Sequence, residues 1–328
     1  MKQYSSHFKL FLDHLGKYCA ALHKKTPAEL YQPENYILSL GGKRLRPLLA
    51  LIAADLLNQP ARKALNAALA VELFHNFSLI HDDILDQAPL RRNKTTVHVK
   101  WNTNIAILSG DVMLVKASQI LESYPAEQYK ALSALLHKTA IEVCEGQQMD
   151  MNFESVKTVS VEEYIQMITL KTAVLLGCSL QMGAIVSGAD KKAQKALYEF
   201  GKHLGIAFQL RDDYLDAFAS NPESFGKQSG GDIIANKKTF LLLKTMELVD
   251  KKQSEKLKTY LSYDRNRADE KVREVKQLFE ALNVKELCAA EADKHTKTAI
   301  RHLKSIACSE KKRESLIQFA SELLNRET

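Results

Sequence analysis

The chain has 328 residues, 45% of them hydrophobic, and 46 basic against 39 acidic side chains give a net charge of +7. That apolar content excludes disorder for most of the chain, and 7 prolines with 13 glycines, mostly set between helical segments, exclude a flexible string of domains. The five cysteines, Cys19, Cys144, Cys178, Cys288 and Cys308, are odd in number and lack ligand spacing, which excludes a disulfide framework or a zinc site and leaves buried, reduced thiols as the expectation.

From the N-terminus, residues 1–13 interleave apolar and charged side chains, which suits an amphipathic helix rather than a signal peptide, so cytoplasmic residence is expected. Gly41-Gly42-Lys43-Arg44-Leu45-Arg46-Pro47 is a glycine turn feeding a helix start. Exposed backbone N–H groups and cationic side chains there can hold an anion or simply cap the helix. The helix over 45–57 contains the longest uninterrupted apolar stretch, 48–54, far below the roughly 18 residues that suggest a membrane span. No span is expected. A second helix, 64–85, is apolar on nearly every side and belongs at the centre of a bundle. It runs into Asp82-Asp83-Ile84-Leu85-Asp86 and is stopped by Pro89.

A polar loop over 91–96 opens with Arg91-Arg92, whose guanidinium forks suit phosphate oxygens. Helical patterning then runs over 111–122, 127–153, 161–187 and 191–218, the last carrying Asp212-Asp213-Tyr214-Leu215-Asp216. Gly226-Lys227-Gln228-Ser229-Gly230-Gly231-Asp232, followed by Lys237 and Thr239, reads as a phosphate clamp with a lysine at each end. A helix over 239–248 follows. In the last third, Lys251, Lys252, Lys256 and Lys258, and later Lys311, Lys312 and Arg313, alternate with acids as on solvated helix faces. No nucleic-acid-binding signature accompanies them, so nucleic acid is not an expected partner. Leu316, Ile317, Ala320, Leu323 and Leu324 share one face of a terminal helix. Convincing strand alternation is absent, which predicts an all-α fold, a single domain of about ten or more helices.

The two acidic clusters demand a cause. On a helix the first and fifth residues lie one above the other and the second lies about 100° round, so three carboxylates crowd one turn. Like charges about 4 Å apart repel by roughly 1 kcal/mol in water and about 4 kcal/mol at an effective dielectric near 20. Two copies of that cost imply cation sites, and carboxylate oxygens suit hard ions such as magnesium, which keeps room for substrate phosphates. Both clusters end apolar helices and are expected to face each other across a cavity.

Together, the paired Asp-Asp-x-x-Asp motifs, Gly-Gly-Lys-Arg-x-Arg-Pro and Gly-Lys-x-x-Gly-x-Asp, in this order from Gly41 to Lys237, resemble the trans-isoprenyl diphosphate synthases, the head-to-tail polyprenyl synthetases. The resemblance implies an all-α bundle around a deep central substrate pocket, a homodimer, and three magnesium ions on the diphosphate of an allylic substrate. By position, Asp82 and Asp86 would ligate two ions with Asp83 in the shell, and Asp212 the third, supported by Asp213 and Asp216. Arg91, Lys171, Lys227 and Lys237 match positions that bind the allylic diphosphate, and Thr172 and Gln209 match pocket positions near the reacting carbons. Lys43, Arg46, His75 and Arg92 match those that bind isopentenyl diphosphate. His75 lies seven residues before Asp82 and so on nearly the same helix face, although a core histidine would fit that phase too. The implied chemistry is electrophilic: the allylic diphosphate ionises and the isopentenyl double bond attacks the cation.

The chain departs from the family where Asn93, Thr95 and Asn236 stand for glycine, proline and glycine. Asn tolerates left-handed backbone, so both glycine turns are expected to survive, whereas Thr95 loosens its loop. Five and four residues before the first motif stand Phe77 and Ser78, where family members place the floor that stops chain growth. One aromatic with no insertion in the motif resembles a short-chain synthase, making geranylgeranyl or farnesyl diphosphate. Helical phase puts Ser78 about 40° from Asp82 but Phe77 about 140° away, so core packing is an alternative role for Phe77. The alternatives for the whole chain are a longer-chain synthase, a terpene cyclase or squalene-type enzyme, a regulatory subunit of a heteromeric prenyltransferase, and a plain helical scaffold.

Overall fold

The computed structural model describes residues 2–218 and 230–325. Within them the helices are α1 (Ser5–Leu22), α2 (Ala28–Ser39), α3 (Leu45–Leu56), α4 (Leu65–Leu85), α5 (Val97–Lys100), α6 (Thr103–Gln119), α7 (Ala126–Ser155), α8 (Val161–Ile168) and α9 (Val174–Val186), followed by α10 (Lys191–Phe218), α11 (Gly231–Ile234), α12 (Phe240–Leu248), α13 (Lys251–Leu261), α14 (Ala268–Ala281), α15 (Val284–Lys304) and α16 (Glu310–Leu324). The all-α expectation holds. The chain divides into two compact units, the first comprising Met1–Ala140, Leu175–Gly201 and His302–Phe319, the second Ile141–Val174, Lys202–Arg301 and Ala320–Thr328.

In the first unit, α3 and α4 form the centre. Residues 48–54 of α3 and 67–74 of α4 are buried without interruption, as sequences that are apolar all round except at Glu72 require. Backbones approach closely where α9 crosses α3: a β-carbon at Gly183 would lie 2.2 Å from the Ala50 carbonyl oxygen, so only glycine fits. A difference from the sequence reading lies after α4. Residues expected as a polar loop form a small antiparallel hairpin, β1 (Leu90–Arg91) with β2 (Lys94–Thr95). Its two turn residues, Arg92 and Asn93, have φ of 52° and 59°, the left-handed pair that a two-residue hairpin prefers. Asn93 therefore meets the demand usually met by glycine. Thr95, far from loosening the segment, pairs with Leu90, and its carbonyl accepts a 2.7 Å hydrogen bond from the Tyr36 hydroxyl.

The second unit builds its core from Tyr164, Met167 and Ile168 of α8, Ile206 and Leu210 of α10, residues 240–243 of α12, and Phe279 of α14. Ser160 and Glu163 start α8 with reciprocal side-chain caps, and Asp250 with Gln253 do the same for α13. The helix expected over 161–187 is interrupted at Thr169–Ala173 by a π turn between α8 and α9. That turn packs backbone to backbone on two glycines. A β-carbon at Gly146 would lie 2.2 Å from the Lys171 nitrogen, and one at Gly205 would lie 2.6 Å from the Ala173 Cα.

The five cysteines carry no disulfide, but the expectation of burial holds only for Cys178 and Cys288; Cys19 and Cys308 are half-buried, and Cys144 is exposed on α7. Two helical stretches, Thr103–Ser123 and Val161–Val186, are long and apolar enough by length and composition to cross a membrane, although no unbroken apolar run in either suggests it. The second is 72% buried over its most apolar window, as a core helix would be, and the first 33%.

Candidate active site

The first acidic cluster occupies the last turn of α4, which itself contains no basic residue to offset the negative end of the helix dipole. Its three carboxylates are not equivalent. Asp83 is 1% exposed and turned inward, where both its oxygens accept from Arg91 Nε at 2.9 and 2.8 Å and Arg91 Nη2 lies 2.7 Å away. Asp82 is half-buried and Asp86, the C-terminal cap, is exposed. Arg91, assigned from the sequence to a phosphate, is in this structure the partner of Asp83.

Besides Arg91, the candidates Lys43, Arg46, His75 and Arg92 belong to the same unit. Gly41 and Gly42 take φ of 76° and 117°, and a β-carbon on Gly42 would lie 2.7 Å from the Arg92 guanidinium, which also donates to the Gly41 carbonyl. Lys43 follows in this exposed turn. Arg44, which the sequence reading passed over, is buried and donates to Glu72 and to the Leu38 carbonyl; Asn76 also donates to Glu72, at 2.8 Å. Glu72 was legible as the one acid within the apolar run of α4 ahead of the acidic cluster. Above this pair, Arg46 Nη1 lies 3.0 Å from His75 Nε2. Burial, and then the positive charge of Arg46, Arg92, Arg91 and Arg44, holds His75 well below its ordinary pKa. Neutral His75 thus accepts from Arg46 at Nε2 and keeps its proton at Nδ1. Phe77 is 8% exposed and packed among aromatic rings, and the Ser78 hydroxyl bonds back to the His75 carbonyl at 2.8 Å.

The second cluster, on the last turns of α10, repeats the inequality. Asp213 is buried and accepts from the Tyr164 hydroxyl and, at 3.2 Å, from Gln209. Burial raises its pKa to about 7 against the lowering effect of the Tyr164 bond. Asp212 and Asp216 are half-buried. Asp216 ties down the following segment: its carboxylate accepts from the Asp232 N–H at 3.0 Å and its carbonyl from the Gly230 N–H at 2.8 Å. The segment continues to Lys237, whose Nζ is 4.0 Å from Asp232, and Asn236 has the left-handed φ of 55° expected where the family has glycine. Lys227, with residues 219–229, lies outside the described residues.

Lys171 and Thr172 both sit in the π turn, a backbone form frequent at functional sites. Lys171 Nζ meets Asp150 of α7 at 2.6 Å. Three groups here escaped the sequence reading: Asp150, Tyr164, and Lys238, which donates to the carbonyls of Phe153 and Val156 where α7 ends. Their partners lie from 21 to 85 residues away, so no local spacing reveals them.

A sequence profile of the polyprenyl synthetase family matches residues 27–282. This chain belongs to that family. It is 38% identical over 304 residues to a short chain isoprenyl diphosphate synthase of Methanothermobacter thermautotrophicus, covering 92% of each chain. Identity to a geranylgeranyl pyrophosphate synthase of Geoglobus acetivorans is 36% over 308 residues, covering 93% of each. A crystal structure of a geranylgeranyl pyrophosphate synthase superposes with a TM-score of 0.94 at 44% identity, covering 100% of both chains. As a member of the family the protein is a trans-prenyltransferase.

Catalysis in the polyprenyl synthetase family needs a divalent metal. The residues present fit one. Asp82 and Asp86 offer only hard oxygen donors, aligned on one helix face at a negative helix end, with the intervening acid Asp83 already neutralised by Arg91.

Proposed function

We propose that the whole chain, residues 1–328, acts as one catalytic domain that condenses isopentenyl diphosphate head to tail with an allylic diphosphate, with geranylgeranyl diphosphate as the main product. The observation that carries this reading is the division within each acidic motif: the middle acid is buried against its own unit, Asp83 on Arg91 and Asp213 on Tyr164, whereas the first and fifth are half-buried or exposed. The relatives named as geranylgeranyl diphosphate synthases, and Phe77 five residues before the first motif, support the twenty-carbon length.

In this reading Asp82 and Asp86 hold two magnesium ions and Asp212 a third, with Asp213 and Asp216 fixing Asp212 and its loop. The ions, when bound, offset the charge that develops on the leaving diphosphate. Lys171, Lys227 and Lys237 bind that diphosphate, and Arg91 reaches it from its anchor on Asp83. Lys43, Arg46, Arg92 and neutral His75, donating from Nδ1, bind isopentenyl diphosphate. The allylic C–O bond breaks with its electron pair leaving on the diphosphate. The isopentenyl π bond then attacks the allylic carbon, and the proton lost from the isopentenyl unit passes to the released diphosphate. Thr172 and Gln209 flank the reacting carbons, and preorganised positive charge supplies the main catalytic effect.

A homodimer and cytoplasmic residence complete the proposal. The dimer is supported by the exposed apolar residues Ile107, Leu108 and Val115 on α6. The deciding assay incubates the pure protein with magnesium, isopentenyl diphosphate and dimethylallyl, geranyl or farnesyl diphosphate in turn, and measures product lengths. Chains mainly of thirty carbons or more would reject the short-chain assignment, and failure to consume isopentenyl diphosphate would reject the synthase.

A further inference from the structure

Phe77 is held by a second aromatic ring. Its centroid lies 5.6 Å from that of Phe74 and 4.8 Å from that of His81, the latter contact edge to face with the planes 68° apart. His81 stands four residues further along α4, so the two rings are neighbours on one helix face. The His81 ring rests in turn on the backbone of α6. A β-carbon at Gly110 would come within 2.4 Å of its Nε2 and 2.6 Å of its Cδ2, and Nε2 donates to the Ile107 carbonyl at 3.2 Å. The Asp111 carboxylate lies 3.8 Å from the same nitrogen. Glycine is the poorest helix former after proline, so its presence midway along α6 calls for a cause, and a seat for His81 supplies one.

We propose that His81, seated on Gly110, is a positioning residue for product length: it fixes the rotamer of Phe77 and thereby the depth of the pocket available to the growing chain. The inference rests on the reading of Phe77 as the floor. A helical aromatic has two accessible settings about its first side-chain torsion, and the edge-to-face contact with His81 selects one of them. If both rings were only core packing, losing the contact would lower stability and leave the product ratio unchanged. A ratio of product lengths does not depend on how much enzyme is folded, so it separates the two roles.

The test uses the full chain with magnesium, isopentenyl diphosphate and farnesyl diphosphate, and compares wild type, Phe77→Ala, His81→Ala, Gly110→Ala and the Phe77→Ala/His81→Ala double variant. His81→Ala is expected to raise the proportion of chains longer than the wild-type product about two- to tenfold, the range an aromatic contact of this kind supports. The double variant should match Phe77→Ala, since His81 acts through that ring. Gly110→Ala unseats His81 without altering α4 and should change the ratio by about twofold or more; it decides the matter if His81→Ala turns over too slowly. Lengthening by Phe77→Ala alone, with wild-type distributions from His81→Ala and Gly110→Ala, overturns the inference and leaves the floor reading standing. An unchanged distribution in Phe77→Ala removes the floor reading and this inference with it.

Discussion

Asp83 and Asp213 divide the labour within their motifs, and that division makes adjacent aspartates behave differently on substitution. Asp82→Ala and Asp212→Ala should each lose turnover by orders of magnitude while staying folded, since both are half-buried where their neighbours Asp83 and Asp213 are buried. Steady-state rates with thermal melts check this, and retained activity in either would sink the metal assignment. Asp83→Ala strips Arg91 of its buried partner and should cost about 3 kcal/mol of stability by denaturant titration. His75 carries a pH signature. Its pKa is depressed in the fold, so the unfolded chain binds the proton first, near pH 6.5. Stability conferred by the neutral ring is therefore full above that pH and falls as pH drops below it. His75→Gln should flatten the difference between denaturation curves at pH 5 and pH 7. At this scale the sequence was informative wherever partners share a helix turn, as with Asp82 and Asp86. It was silent on Tyr164 and Asp150, whose partners are brought in by other helices.

Among the elements, the π turn under Lys171 is the feature that periodicity hides. A single extra residue in one helical turn leaves the apolar pattern of 161–187 nearly intact, so the segment reads as one uninterrupted helix. Only the close approach of Gly146 and Gly205 exposes the turn. Gly146→Ala should force α7 off the Lys171 backbone and destabilise the protein by about 1–3 kcal/mol; an unchanged melting temperature would mean the two segments do not pack as described. The hairpin of 90–95 was likewise invisible, because two-residue strands give no alternation to read. Asn93 was its one local clue. By contrast, α4 was legible to within a residue, since burial on every side writes itself directly into composition.

For the molecule as a whole, the helical class was evident from composition and period, whereas which helices pack together was not, because apolar faces do not name their partners. The exposed apolar residues of α6 allow a test of the proposed homodimer. A Leu108→Glu/Val115→Glu variant is expected to shift the protein from dimer to monomer in light scattering after size exclusion, and a wild type that is already monomeric would refute the dimer. The hairpin after α4 has a consequence for how this chain can vary. Arg91 and Arg92 are neighbours in sequence yet turn to different anchors, the first to Asp83 and the second to the glycine turn at Gly41. That sorting depends on how many residues separate Asp83 from the turn, and far less on which residues they are. The segment has absorbed Asn93 and Thr95 in place of glycine and proline. Adding or deleting one residue between Asp83 and Arg91 would move both arginines off their anchors at a stroke, so the length of this stretch should be held more tightly than the letters at 93 and 95.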